Sequence, residues 1–220
     1  MRTTFLFVFF PVLFFSQMVI DRPGEGADSE ILEPKKIQLE SDLVYYNNGP
    51  GFTSDHLLRF GLSRRWEVGA QTSFHLVDSA ENSAAIVLKY NLLAETESTP
   101  TVSLRGETDL QIEEYSLLIA SAKKLSEKWS TSAAAGFVRK DFRNLLHLNC
   151  KIDHNLTENW ALFSEYYSYF EKKDAPVQGL NVGSTLSVSP RVQVFLAGAS
   201  NYKNFIKDYF VSTGFSFLLN

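Results

Sequence analysis

Val102-Ser103-Leu104-Arg105-Gly106-Glu107-Thr108-Asp109-Leu110 is the stretch whose reading decides the architecture. Val102, Leu104, Gly106, Thr108 and Leu110 fall on one side of an extended segment, and Ser103, Arg105, Glu107 and Asp109 on the other. Side chains of a strand point alternately to opposite faces, so a period of two means one apolar face and one polar face. Three charges in succession make the polar face a wet one. The same split sets Leu146, Leu148, Cys150 and Ile152 against His147, Asn149, Lys151 and Asp153, and Val68, Ala70, Thr72 and Phe74 against Glu67, Gln71, Ser73 and His75. It sets Ile86, Leu88, Tyr90 and Leu92 against Val87, Lys89 and Asn91, and Tyr209, Val211, Thr213, Phe215, Phe217 and Leu219 against Phe210, Ser212, Gly214 and Ser216.

Extending this pattern along the chain predicts about twelve strands, near 36–47, 54–63, 66–78, 83–94, 101–111, 114–125, 129–140, 143–154, 159–170, 178–188, 191–201 and 207–219. Each is about 9 to 13 residues long, the length a tilted membrane strand needs, whereas globular strands are more often about 5 or 6. The connections fall into two sets. Ser63-Arg64-Arg65-Trp66, Ser126-Glu127-Lys128-Trp129, Leu156-Thr157-Glu158-Asn159-Trp160, Ser187–Arg191 and Glu95–Pro100 form one rim; three of them lead straight into tryptophan. Trp66, Trp129 and Trp160 therefore share one level, as a membrane-interface aromatic girdle would. An even strand count puts both chain ends on that rim, which in such barrels faces the periplasm. The expected fold is all-β: a transmembrane antiparallel β-barrel, an up-and-down meander of about 12 strands. Two rivals compete with it. Residues 115–129 carry an amphipathic helical stripe, with Leu118, Ala122 and Leu125 inside and Lys123, Lys124, Glu127 and Lys128 outside. A soluble β-sandwich also alternates, but there the apolar faces meet in a dry interior.

Before the barrel, a short positive start at Arg2 and the apolar run from Phe5 to Phe15 read as a secretory signal peptide over residues 1–17, with an end as late as residue 26 also open. The run is too short to span a bilayer and contains Pro11; a buried N-terminal strand is the other reading. Residues 18–35, rich in Gly, Pro, Asp and Glu between Asp21 and Pro34, read as a flexible leader able to fold inward over the mouth, and residues 36–220 as the barrel.

Composition agrees. The chain has 220 residues with 18 Phe and 9 Tyr against 2 Met, an excess that suits strands with one apolar face. A formal charge of −4 without a basic cluster argues against nucleic acid. A single cysteine, Cys150, excludes an internal disulfide and a cysteine-rich metal site, and it sits on an apolar face as a small hydrophobe.

Four stretches resemble a known family. Leu57–Gly69 (LLRFGLSRRWEVG) is similar to the early hairpin "ryGltdrwElg" of phenol meta-pathway outer-membrane transporters, and Leu162–Tyr166 (LFSEY) to their "lf.Ey" strand. Asn181–Gln193 resembles their "G.ty.lspnlQ" hairpin and Asp208–Phe217 their closing "dyfvg.Glsyrf". Two features depart: Leu218-Leu219-Asn220 follow the terminal aromatic, and the loops opposite the tryptophan rim are short. The resemblance implies an outer-membrane barrel that moves small apolar or aromatic compounds, without catalytic residues or cofactor.

The polar faces supply the candidate functional residues. Arg59, Glu67, Gln71, His75, Lys89 and Arg105 would line a shared lumen together with Glu107, Asp109, His147, Lys151, Asp153 and Glu165. Hydration and mutual pairing of these groups is expected for structural reasons, and a selective constriction around Lys89, Arg105 and Glu107 is the functional version. A lipid-modifying hydrolase of the outer membrane is the alternative, requiring a serine and a histidine such as His75 or His147 as nucleophile and base; a structural barrel without transport is another. No two histidines are spaced to share a metal. The expected setting is the bacterial outer membrane after export, with membrane lipids, a small-molecule solute and the outer-membrane assembly machinery, acting through the C-terminal strand, as partners.

Overall fold

The computed structural model describes residues 18, 20–21, 24, 28–77, 82–172, 174–201 and 208–219. The signal-peptide region, residues 1–17, and the rim loop at 202–207 lie outside the described residues. Twelve strands follow one another: β1 (Ile37–Tyr46), β2 (Phe52–Gly61), β3 (Trp66–His75), β4 (Ser83–Leu93), β5 (Thr101–Asp109), β6 (Tyr115–Lys124), β7 (Trp129–Lys140), β8 (Arg143–Asn155), β9 (Trp160–Phe170), β10 (Val177–Ser189), β11 (Val192–Asn201) and β12 (Tyr209–Leu218). Each pairs antiparallel with the next, and β12 returns to β1, with Leu39 opposite Phe217 and Tyr45 opposite Val211. The sheet is thus a closed barrel without a free edge, an up-and-down meander as the alternation implies.

Residues 115–129, where a helical stripe competed, form β6 and the turn after it. Leu118 and Ala120 turn inward there, while Leu117 and Ile119 face out. A helix would have left the backbone groups of β5 and β7 without partners, and the ladder overrides the local stripe.

The direction of the faces excludes the sandwich. Leu148 and Phe215 are exposed on the outer wall, as are Ile86, Leu117, Ile119 and Leu196. The most deeply buried large side chains include Arg59, Lys89, Glu40, Glu67, His147 and Glu165, all inside. A water-soluble protein would invert this distribution; a wall immersed in hydrocarbon requires it, since its backbone groups are satisfied within the ladder and its side chains face acyl chains. No helix among the described residues is long and apolar enough to cross a membrane; here the strands do it.

One rim is built from a repeated turn. Ser63 Oγ accepts the backbone N–H groups of Arg65 (3.2 Å) and Trp66 (3.1 Å), Ser126 Oγ those of Lys128 (3.3 Å) and Trp129 (3.1 Å), and Thr157 Oγ1 those of Asn159 (3.3 Å) and Trp160 (3.1 Å). Each hydroxyl satisfies donors that the tight turn leaves outside the ladder, which is why Ser or Thr stands three residues before each tryptophan. At the far rim Asp141 and Phe142 both adopt positive φ (50° and 61°), the left-handed pair of a two-residue hairpin joining β7 to β8.

Candidate functional site: the barrel lumen

The inner wall divides into two unlike halves. On β1–β5 it is ionic. Arg59 donates from Nε to Glu67 Oε1 (2.8 Å), from Nη2 to Glu67 Oε2 (2.9 Å) and from Nη1 to Glu40 Oε1 (2.8 Å). Gln38 Nε2 donates to Glu40 Oε1 at 2.9 Å. The guanidinium fork matches the Glu67 carboxylate, so two acids and one base share a water-poor space with their hydrogen-bonding capacity met. Along β5, Arg105 Nη2 pairs with Glu107 at 2.9 Å. Alternation along β2, β3 and β5 places all these groups on one surface, and the ladder sets Glu67 opposite Lys89 and Lys89 opposite Arg105.

The other half, on β8–β12, is aromatic. Phe163 stands opposite Gly183, Tyr167 opposite Gly179, and Phe195 opposite Gly214. A Cβ at Gly183 would lie 2.5 Å from the Phe163 ring, one at Gly179 2.3 Å from Tyr167 and one at Gly214 2.6 Å from Phe195. The three rings therefore lie across glycines, flat against the wall, where any larger residue would lift them into the lumen. Tyr169 adds a ring 4.6 Å from that of His147. Between the rings, Glu165 accepts from Asn149 Nδ2 (2.5 Å) and Asn181 Nδ2 (3.1 Å). Lys151 pairs with Asp153 at 3.5 Å and lies 5.9 Å from the centre of the Phe163 ring.

The leader sits inside this space. The Asp21 carboxylate contacts Lys89 Nζ, and its backbone N–H faces Glu40 Oε2 at 3.1 Å. Leu32 N–H donates to Glu67 Oε2 at 2.7 Å, and Arg59 Nη2 to the Glu30 carbonyl at 3.4 Å. Ser29 and Leu32 are buried. Across the lumen, a Cβ on Gly24 would come within 2.9 Å of Glu165 Oε2. Asp21 and Gly24 thus approach Lys89 of β4 and Glu165 of β9, strands on opposite sides of the barrel. Burial alone would push the Asp21 carboxyl up, but Lys89, with Arg59 and Arg105, holds it well below the usual carboxylate range.

The structure brings Arg59, Glu67 and Lys89 into the cluster with the leader and sets Arg105 and Glu107 beside it. His147, Lys151, Asp153 and Glu165 lie on the aromatic half. Gln71 and His75 on β3 and Asp109 on β5 face inward without joining either cluster. Sequence reading missed Glu40, Gln38, Asn149 and Asn181. Alternation in β1, β8 and β10 points to their faces, but their roles depend on cross-strand register, which alternation does not contain. Trp66, Trp129 and Trp160 are exposed on one rim; Trp66 stacks with Tyr90 (4.5 Å), Trp129 with His154 (4.1 Å), and Trp160 Nε1 donates to Ser184 at 2.6 Å.

The histidines proposed for hydrolysis, His75 and His147, face the lumen, away from lipid. On the outer wall His56 Nδ1 is 2.8 Å from Ser41 Oγ and its Nε2 3.2 Å from Ser54 Oγ. Both Ser41 and His56 are the fifth residue of a ten-residue strand, halfway up the wall, where hydrocarbon rather than ester groups would be met.

No family model matches the chain, and no curated protein does. Solved structures do. The KdgM porin superimposes with a TM-score of 0.66 at 10% identity over 82% of this chain and 98% of that one. The fold is that of the outer-membrane porins. The NanC porin gives 0.67 at 9% identity over 81% of this chain and 98% of that one. The Acinetobacter baumannii outer-membrane protein Omp33 gives 0.56 at 8% identity over 83% and 97%. At such identities the likeness is one of fold.

Proposed function

We propose that this chain is a pore of the bacterial outer membrane that passes small molecules, reached after export under the signal peptide of residues 1–17. A closed wall with apolar side chains outside and ionic ones inside carries this reading. Twelve strands enclose a lumen roughly a nanometre across, enough for a hydrated small solute once the leader moves aside. The tryptophan rim faces the periplasm, with Trp66, Trp129 and Trp160 at the lipid interface. β12, with Tyr209, Val211, Phe215 and Phe217 facing out, is the strand offered to the assembly machinery.

Small apolar or aromatic compounds are the solutes favoured by the resemblance to phenol meta-pathway transporters, and the rings of Phe163, Tyr167 and Phe195 along the inner wall support it. The charged and polar groups of the lumen select among them: Arg59, Glu67, Lys89, Arg105 and Glu107, with Gln71, His75 and Asp109 farther along the same strands, on one side, and His147, Lys151, Asp153 and Glu165 on the other. A lipid hydrolase is not favoured, since His75 and His147 face away from lipid and the outward His56 lies at mid-wall. Planar bilayers test the pore. Purified protein should give discrete conductance steps, and its migration on SDS gels should change on boiling. A barrel silent even after proteolytic removal of the leader would overturn the reading.

A further inference from the structure

Among the described residues, three cations of the lumen pair with acids of the wall itself. Arg59 is held by Glu40 and Glu67, Arg105 by Glu107 and Lys151 by Asp153. Lys89, whose side chain is 0% exposed, takes its carboxylate from outside the wall, from Asp21 of the leader. Its other partner is a carbonyl, that of Glu30 at 3.5 Å. A buried ammonium needs a counter-charge, because low-dielectric surroundings do not replace the water it has lost. The barrel alone is therefore incomplete at Lys89: it presents a cation between Arg105 and Glu67 in the ladder, Glu67 is taken up by Arg59, and among the described residues no acid of β1–β12 makes an ion pair with Lys89.

We propose that Lys89, with Arg105 and Arg59 behind it, is a recognition site for small organic carboxylates, which Asp21 occupies in this structure as an intramolecular stand-in. This deepens the pore reading and rests on it. Two further atoms fit. Asp21 Oδ2 is buried without a hydrogen-bond partner, and so is Arg105 Nε, so a second acceptor and a second donor remain open in the pocket. A free carboxylate, not tied to the leader backbone, can turn both oxygens toward donors and use the fork of Arg105 as well as Lys89. The ring wall lies across a lumen that the leader crosses between Asp21 and Gly24, so a carboxylate on an apolar ring can hold its charge at Lys89 and direct its ring toward Tyr167 and Phe163. The wall as a whole carries more acids than bases, so attraction of anions is confined to this cluster.

Leader and solute then compete for one cation, and removing the leader's acid must strengthen solute binding. Benzoate titrated into the full-length protein in detergent, followed by calorimetry, is the test, with benzamide as the uncharged analogue. Asp21→Ala should bind benzoate about tenfold or more tightly than the parent chain, a gain of about 1.4 kcal/mol. Adding Lys89→Met to that variant should abolish the gain. Asp21 lies outside the barrel strands, so Asp21→Ala leaves the wall intact, and heat-modifiable migration verifies the fold of both variants. Unchanged affinity in Asp21→Ala, or equal binding of benzamide, overturns the proposal. Bilayer conductance is measured separately: a conducting barrel blind to benzoate sinks the site and leaves the pore, and a benzoate-binding barrel that never conducts sinks the pore.

Discussion

The inner wall of β1–β5 and that of β8–β12 answer the same demand, filling a barrel interior, in opposite ways. The first uses charges whose desolvation must be offset partner by partner, and it borrows an acid and several backbone groups from the leader to complete the set. The second uses rings that need no counter-charge but need room, which Gly179, Gly183 and Gly214 provide. The ionic half should therefore fail when a partner is lost, and the aromatic half when a volume is added.

The sharpest way to break this contrast is Arg59→Met. It leaves Glu40 and Glu67 buried and facing each other, and should lower unfolding stability by about 3–5 kcal/mol, read from urea unfolding in detergent. An effect below about 1 kcal/mol would mean that water already reaches the cluster. Next in size is Gly183→Ala, whose new methyl meets both the Phe163 ring and, at 2.6 Å, the Leu196 carbonyl. It should destabilise by about 1–3 kcal/mol, and pairing it with Phe163→Leu should recover part of the loss. The rim provides a third comparison: Trp129→Ala removes a ring stacked on His154 and should lower stability by about 1 kcal/mol, leaving conductance unchanged.

The smallest effect concerns pH and separates two acids of the leader. Burial first, then Asp28 and Glu95, push the Glu30 carboxyl up to about 7, against the pull of Lys89 and Arg59. The docked leader therefore keeps a proton that a free leader would release near 4.5, so docking is favoured most below about pH 4.5 and loses this contribution as the pH rises to about 7. Asp21 has the opposite sign: its depressed carboxyl keeps the contact with Lys89 throughout pH 5 to 8, and only strong acid removes it. Maleimide labelling of Ser29→Cys in a Cys150→Ser background, each rate divided by that of a free model thiol at the same pH because only the thiolate reacts, should run a few-fold faster at pH 8 than at pH 5. A faster rate at pH 5 would show that Glu30 is not the group in control.

Strand positions and faces were legible in the residues with little loss. The expected 129–140 is Trp129–Lys140 and 143–154 is Arg143–Asn155, while 66–78 ends earlier, at His75. Alternation is a local property, and each strand repeats it. The twelve lumen candidates were chosen on the same local signal, because a charged face in a membrane wall has one direction to point. Which of them would meet was not. Arg59 joins Glu67 because β2 and β3 are ladder neighbours, but its second acid, Glu40, comes from β1. The part played by Asp21 has no sequence signal at all, since the leader has no period and its composition is that of a loop.

By itself the sequence determined that the chain alternates, where it turns, and hence that one surface of every strand is greasy and the other wet. Those features depend only on the two-residue repeat of an extended backbone and on turn chemistry. Closure, register, the seating of rings on glycines and the borrowed acid at Lys89 were decided by tertiary structure. They join residues far apart in the chain, 68 positions at Asp21 and Lys89 and 178 between Leu39 and Phe217, and are fixed by which strands share hydrogen bonds and by the need of a buried charge for its counterpart.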